Sequence, residues 1–504
     1  MANLTKYNVA ICLVVAWGGY SYGFGFAIFV TSIGQPGFYQ YFNLDPSSTY
    51  TAKQVPHQDF RENISDWAAS ILGAINALFN FGLAVGALAQ GPLADILGRK
   101  RAFTLAAVCS LIGAALITGS VAIGMLITVR LLHGFGLGML ICLVPLYLTE
   151  VAPPHRRGCA WISIGTYYAT NLTVQWRVPL ALACIGPLAL LIGLPFIPES
   201  PRYLTLKGRT HEAWDVLQRI HHDPNDPEDS AAHAEYTQIV RQVEFDKEQE
   251  AGYLQMFKKP SWRRRSLLAL FIQFAAQSTG ASLSILGIAN FLVLIFTSLG
   301  MTGVMPLLLY AVYSTIGTIC VFIAIFTVDK IGRRTMFLIG FPGLAVCLLL
   351  EGILQWKYLG TDNKGGLAAC LVFIYIYIVI FQCVDGPSFI WMAEIFPTTI
   401  RARGISLGFF SYFVGAITYT TPSALAFKNI KYRMYFLYMG LCIISTIIVY
   451  FYVPETKQIP VEEIGALFGD EVVVHLTADG HGIVEEQKMV KVEGASTVVH
   501  TEKV

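Results

Sequence analysis

The chain has 504 residues, of which 55% are hydrophobic and only 13% charged, with a net charge of +2 and a mean hydropathy of +0.56. A soluble protein carries roughly 25% charged residues, so a soluble globule is excluded, and the near-neutral balance leaves no electrostatic footprint for nucleic acid. Ten cysteines occur without CxxC or paired extracellular spacing, which argues against a metal site or a disulfide framework.

The first apolar run, from about Val9, continues too far for a signal peptide and lacks a small-residue cleavage motif, so it reads as a span. Apolar runs lie near residues 9–33, 66–90, 102–122, 124–148, 159–174, 178–197, 266–295, 304–327, 336–356, 367–392, 404–426 and 434–453. A bilayer takes roughly 20 residues per helix, so the pattern predicts an all-α membrane protein with twelve transmembrane helices. Arg99-Lys100-Arg101, Arg156-Arg157, Lys330 with Arg333-Arg334, and Arg401 with Arg403 then fall on one side. The positive-inside rule makes that side cytosolic, with both termini inside. Residues 1–197 form one helical bundle, 198–265 a polar cytosolic loop with short helices, 266–455 a second bundle and 456–504 a tail. Beyond Phe468 the tail has no apolar period and reads as disordered. The Asn63-Ile64-Ser65 sequon sits too near the second span for glycosylation.

Three motifs occur twice in the same order. "GPLADILGRK" holds Asp95 and Arg99, and "VDKIGRR" holds Asp329 and Arg333, with the two aspartates 234 residues apart. "EVAPPHRRG" holds Glu150 and Arg157, and "EIFPTTIRARG" holds Glu394 and Arg401. "PESPR" holds Glu199 and Arg202, and "PETK" holds Glu455. A repeat of this kind predicts two pseudo-symmetric six-helix bundles. Acids and bases at fixed spacing near helix ends can bridge neighbouring helices, and between the halves they can form a breakable latch at the cytosolic face. "GFGLG" at Gly134–Gly138 lies inside a span, where small residues let helices approach closely, so it is not a nucleotide loop. No nucleotide loop, metal cluster or nucleophile motif is present, so an enzyme is not expected. Glu351, near the outer end of its span, reads as solvated.

These motifs, with "RLLHGFGLG", "VPLYLTEVAPPHRRG" and "PETKQIPVEEI", resemble those of the sugar porters of the major facilitator superfamily. The likeness runs from about Val9 to Phe468 and is strongest to fungal members that include hexose and lactose permeases. It implies carriage of a sugar or polyol by alternating access, by facilitated diffusion or with a proton. It also implies a monomer in the plasma membrane, with carbohydrate and lipid as partners and no cofactor or metal. A transporter-like sugar sensor is the other class, though the tail is of ordinary length and has no repeat.

The resemblance implies substrate contacts from Gln273 and Gln277, one turn apart on one helix face, and from Ser282, where an asparagine is usual. Ala276 stands where a glutamine is usual, Phe389 replaces the pocket tryptophan, and Tyr412-Phe413 replaces an asparagine-tryptophan pair. Trp391 is displaced by two positions. Family symporters oppose an aspartate in the first span to an arginine in the fourth. The arginine matches Arg130, but the aspartate position is Gly25, which leaves Asp385 as the acid well inside a span, either the proton site or a structural partner for a helix break at Gly386-Pro387. His133 reads as a polar packing residue, and Tyr20, Tyr22, Tyr167 and Tyr168 either line the cavity or pack. The fifth span is short: about sixteen residues reach about 24 Å, against roughly 30 Å of hydrocarbon. Either a misjoined message lacks the start of this helix, or a real deletion impairs transport.

Overall fold

A computed structural model of the chain describes residues 6–33, 38, 41–42, 66–151, 172–221, 233, 236–237, 239–240, 252–279, 305–358, 363–397, 400–422, 430, 432–457, 464–469, 475–476 and 483–484. The described elements are nearly all helical. In the first half they are α1 (Lys6–Ile33), α2 (Asp66–Leu97), α3 (Arg99–Thr118), α4 (Ile123–Val151), α5 (Leu172–Leu182) and α6 (Ile185–Gly193), followed by a 3-10 turn at Leu194–Phe196. Short helices α7 (Pro201–Leu206), α8 (Thr210–His221) and α9 (Tyr253–Lys258) belong to the connecting loop. The second half holds α10 (Pro260–Ala276), α11 (Met305–Ile331), α12 (Arg333–Tyr358), α13 (Lys364–Ile395), α14 (Arg401–Thr420) and α15 (Arg433–Tyr452).

Ten of the twelve expected spans coincide with these helices, the sixth being made by α5 and α6 together. The seventh, 266–295, is described only to residue 279, with α10 over its first part, and the fifth, 159–174, lies outside the described residues except for its last three. Among the described residues, eight helices are long and apolar enough to cross a membrane. Their outward faces are greasy: Leu13, Ile192, Phe326, Val346, Trp356 and Phe451 are all more than half exposed. A bilayer supplies the apolar environment that such a surface requires.

Within the first half, α2 and α4 cross at very close range. A Cβ on Gly82 or Gly86 would strike the backbone of Leu131 or Phe135, and one on Gly134 or Gly138 would strike the backbone of Phe79 or Leu83. The small residues of "GFGLG" are therefore a helix-packing seam, as small residues are in membranes generally. In the second half α12 packs on α13 and α15, and α10 on α14.

The two halves meet chiefly where α2 lies along α14. At one end a Cβ on Gly73 would sit 3.5 Å from the Thr421 carbonyl oxygen; at the other a Cβ on Gly91 would sit 3.2 Å from Arg403 Cα. Gly73 and Gly91 are about 27 Å apart along a helix, so this seam is closed over nearly the depth of the hydrocarbon.

Two features mark the chain's end. Just past the second bundle, α16 (Ile464–Leu467) buries Ile464, and Phe468 after it lies under Arg265, 4.9 Å from ring centre to guanidinium carbon. Beyond it, β1 (His475–Leu476) pairs antiparallel with β2 (Ile483–Val484), in a tail whose sequence shows no period.

Candidate functional site

Two clusters bring the chemistry-bearing residues together, one at the basic ends of the helices and one midway along them. At the basic end each half turns from one helix into the next through a glycine with positive φ: 91° at Gly98 and 101° at Gly332. That conformation is cheap only for glycine, and it leaves the first N–H groups of α3 and α12 pointing outward. Glu199 fills the first vacancy, accepting from Arg99 N (2.9 Å) and Lys100 N (3.2 Å). Glu455 fills the second, accepting from Arg333 N (2.9 Å), Arg334 N (3.1 Å) and Thr335 N (3.4 Å). A carboxylate at a helix N-terminus satisfies orphan donors and meets the positive end of the helix dipole. A Cβ at Gly98 or Gly332 would come within 2.8 or 2.6 Å of the capping carboxylate.

These contacts correct part of the expected latch. Glu199 and Glu455 are not bridges between the halves; each closes its own half. Arg333 also stays within its half, donating from Nη2 to Glu394 Oε1 (2.8 Å) and pairing with Asp329 at 2.8 Å. Glu394 Oε2 accepts in turn from Thr456 Oγ1 at 2.9 Å. Arg401 donates from Nε to the Phe396 carbonyl (3.2 Å) and is buried, while Arg202 is half-buried. The Glu150 side chain and Arg157 lie outside the described residues.

Contacts that do cross between halves include one residue counted in the sequence only as a topology signal. Arg403 Nη2 lies 3.4 Å from Asp95 Oδ2, while Asp95 also has Arg99 at 3.8 Å. Next to this pair Ser406 donates to Gln90 Oε1 (2.9 Å). From the loop, Tyr253 donates its hydroxyl to the Leu88 carbonyl at 2.8 Å. Burial holds that phenol above the ordinary range. A Cβ at Gly91 would be 2.6 Å from the Tyr253 oxygen, so α2, α9 and α14 meet at one point. No repeat marks Gln90, Tyr253 or Ser406, and sequence reading missed all three.

Midway along the helices, Gln382, Asp385 and Phe389 share one face of α13 by their spacing. The Tyr412 hydroxyl reaches Asp385 Oδ1 at 3.5 Å, the limit of a hydrogen bond. Phe389 stacks on Phe409 (centroids 5.2 Å apart, 19° between planes) and tilts against Tyr412 at 5.4 Å. Phe413 then meets Tyr22 of α1 at 6.4 Å, an aromatic contact across the two halves. Gln273 is fully buried; its Nε2 donates to the Ser388 carbonyl (3.2 Å) and its Oε1 has no hydrogen-bond partner among the described residues. Gln277 is buried one turn on and faces α14, where a Cβ at Gly415 would be 2.9 Å from its own Cβ. Ser282, Tyr167 and Tyr168 lie outside the described residues. Trp391 is buried against Phe337.

Arg130 sits between two rings, its guanidinium carbon 3.7 Å from the centroids of both Phe29 and Phe79. No ion pair to it occurs among the described residues, so the cation is held by ring quadrupoles. His133 occupies the space in front of Gly25, where a Cβ would come within 3.2 Å of its Nε2. Glu351, expected to be solvated, is buried: Gln355 Nε2 donates to it at 2.6 Å and to the Tyr435 hydroxyl oxygen at 2.8 Å. The reason is α15, whose Tyr435 covers this side of α12.

Residues 11–468 match the sequence family described as "Sugar (and other) transporter". MFS-type transporter criB of Aspergillus cristatus is 31% identical over 488 residues, covering 93% of this chain and 95% of its own. Sugar transport protein 4 of Arabidopsis thaliana is 28% identical, with 92% and 91% covered, and low-affinity glucose transporter HXT3 of Saccharomyces cerevisiae 26% identical, with 92% and 82% covered. Among solved structures, the proton:xylose symporter XylE bound to 6-bromo-6-deoxy-D-glucose aligns with a TM-score of 0.74 at 22% identity, over 92% of this chain and 99% of that one. The inward-open form of XylE from E. coli aligns with a TM-score of 0.65 at 20% identity, over 91% and 99%.

Proposed function

The chain belongs to the sugar transporter family of the major facilitator superfamily, whose members are membrane carriers and not enzymes, and from that premise we infer that it moves a sugar or related polyol across a bilayer by alternating access. The helices of the first half and those of the second rock as two bodies about the midplane cluster. The basic end is the cytosolic mouth, with both termini inside, and the carrier works as a monomer in the plasma membrane.

The observation that carries this reading is the α2–α14 seam, sealed at the basic end by Asp95–Arg403 and Tyr253. An ion pair and a few hydrogen bonds, each worth about 1 kcal/mol net, can part and re-form within a transport cycle. The caps made by Glu199 and Glu455 keep each half internally fixed while that seam opens.

Gln273, Gln277, Phe389 and Tyr412 are the substrate-facing residues in this reading, with Asp385 as the proton carrier. Its support is position: a carboxyl inside a span, beside the Tyr412 hydroxyl and on the same helix face as Phe389. XylE is a proton:xylose symporter, and the same coupling is proposed here through a different residue. Arg130, held by two rings, positions α4 against α1 and α2 and takes no proton.

Uptake of labelled sugars by vesicles containing the protein, with and without an imposed pH gradient, tests both parts. Gradient-driven accumulation that disappears in Asp385→Asn while sugar exchange persists is the expected result. Uptake indifferent to the gradient removes the proton role of Asp385. Binding without uptake of any sugar overturns the carrier assignment.

A further inference from the structure

We propose that the midplane site prefers a sugar or polyol bearing an aromatic substituent over the bare, fully hydroxylated sugar. The inference rests on the carrier reading above and names the ligand class of the same site.

Its basis is a continuous file of rings. Phe389 stacks on Phe409, Phe409 on Phe413 (6.4 Å, 24°), and Phe413 meets Tyr22 at 6.4 Å. Tyr22 stacks on Phe26 at 6.0 Å and Phe26 tilts against Phe79 at 5.9 Å. The file runs from α13 through α14 across to α1 and α2, so it passes through the surface along which the halves separate. A ligand entering there parts Tyr22 from Phe413 and removes a ring–ring contact. An aromatic group restores stacking on both sides. A sugar ring offers only the CH patches of its faces.

Polar groups near the file can hold the sugar part of such a ligand. Gln273 Nε2 is committed to the Ser388 carbonyl. Three buried amide oxygens have no hydrogen-bond partner among the described residues, Asn80 Oδ1, Gln273 Oε1 and Gln382 Oε1, and the last two belong to α10 and α13. Gln382 lies one turn before Asp385 on the same face of α13, beside Gly317, where a Cβ would be 3.7 Å from its Nε2. With the Asp385 carboxylate and the Gln277 amide, these oxygens can bond hydroxyls on the sugar part of such a ligand. Each hydroxyl buried without a partner weakens binding. A site that sets this file of ring faces beside these polar groups therefore favours a ligand carrying both hydroxyls and a flat apolar group.

The test is transport of labelled methyl β-glucoside and phenyl β-glucoside by the full chain in vesicles, with binding of each followed by thermal stabilisation of the solubilised protein. We expect the phenyl compound to half-saturate at a concentration about tenfold lower than the methyl compound. In Phe413→Leu, which keeps an apolar side chain and removes the ring, that ratio should fall toward one; Tyr22→Leu should do the same. Equal half-saturation by both glycosides overturns the proposal and leaves the carrier reading intact. Tighter binding of the phenyl compound with no transport of either upholds the aromatic preference and overturns the carrier reading. Neither binding nor transport of either compound overturns both.

Discussion

Replacing Asp95 by Asn should loosen the mouth at the basic end by a measurable and limited amount. Two unit charges 3.4 Å apart attract by about 1.2 kcal/mol in a water-like medium and about 5 kcal/mol at an effective dielectric of 20. The side chains keep only 19% and 25% of their exposure, so the cost of desolvating and ordering them offsets much of that attraction. Arg99, 3.8 Å from Asp95, competes for the same carboxylate and lowers the value of the cross-half contact further. A net contribution of about 1 to 1.5 kcal/mol follows, which is about a five- to tenfold change in the ratio of open to closed mouths. The Cys142 thiol of α4 is fully buried with this mouth closed, and its alkylation serves as the readout. In a chain whose other cysteines are serine, its alkylation should speed up by that factor in Asp95→Asn and in Arg403→Gln. The double variant should be no faster than the quicker single one. If instead the two effects multiply, the side chains act independently and Asp95–Arg403 is not the latch.

Tyr253→Phe keeps the ring against Gly91 and removes the bond to the Leu88 carbonyl, worth about 1 kcal/mol; alkylation of Cys142 should rise a few-fold. Glu199→Ala and Glu455→Ala each uncap one helix, at about 1 to 2 kcal/mol. The two should lower the thermal inactivation temperature in detergent by similar amounts, whereas Arg209→Ala, which breaks only the exposed pair with Glu212, should leave it unchanged. Glu351→Gln should match the parent in the same assay at neutral pH. Glu351→Ala, which leaves the buried Gln355 amide short of a partner, should lose about 2 kcal/mol.

The spans were legible because bilayer thickness fixes their length, and the two halves because three motifs recur in order. The partners of those motifs were less so. Sequence puts Glu199 and Glu455 at the same face as Arg99 and Arg333, but a carboxylate there can answer either a guanidinium or a row of backbone N–H groups. Only the positive φ of Gly98 and Gly332, which aims those groups at the acid, decides for the backbone. Arg403 carried no signal beyond its charge, since its partner comes from the other half, hundreds of residues away. Glu351 was misplaced for a similar reason: its depth along α12 was legible, but not the Tyr435 of α15 that covers it. Gly25 and His133 show the opposite case, where an absent side chain makes room for a neighbour that no local pattern connects to it.

Each lobe is fastened with a residue drawn from its own stretch of chain, Glu199 for the first and Glu455 for the second. Severing the polypeptide between His221 and Gly252 therefore unpicks neither fastening. The two pieces, made together, should dock into a working carrier. A break before Pro198 would instead leave α3 with its opening amides bare and the first piece unable to hold its shape.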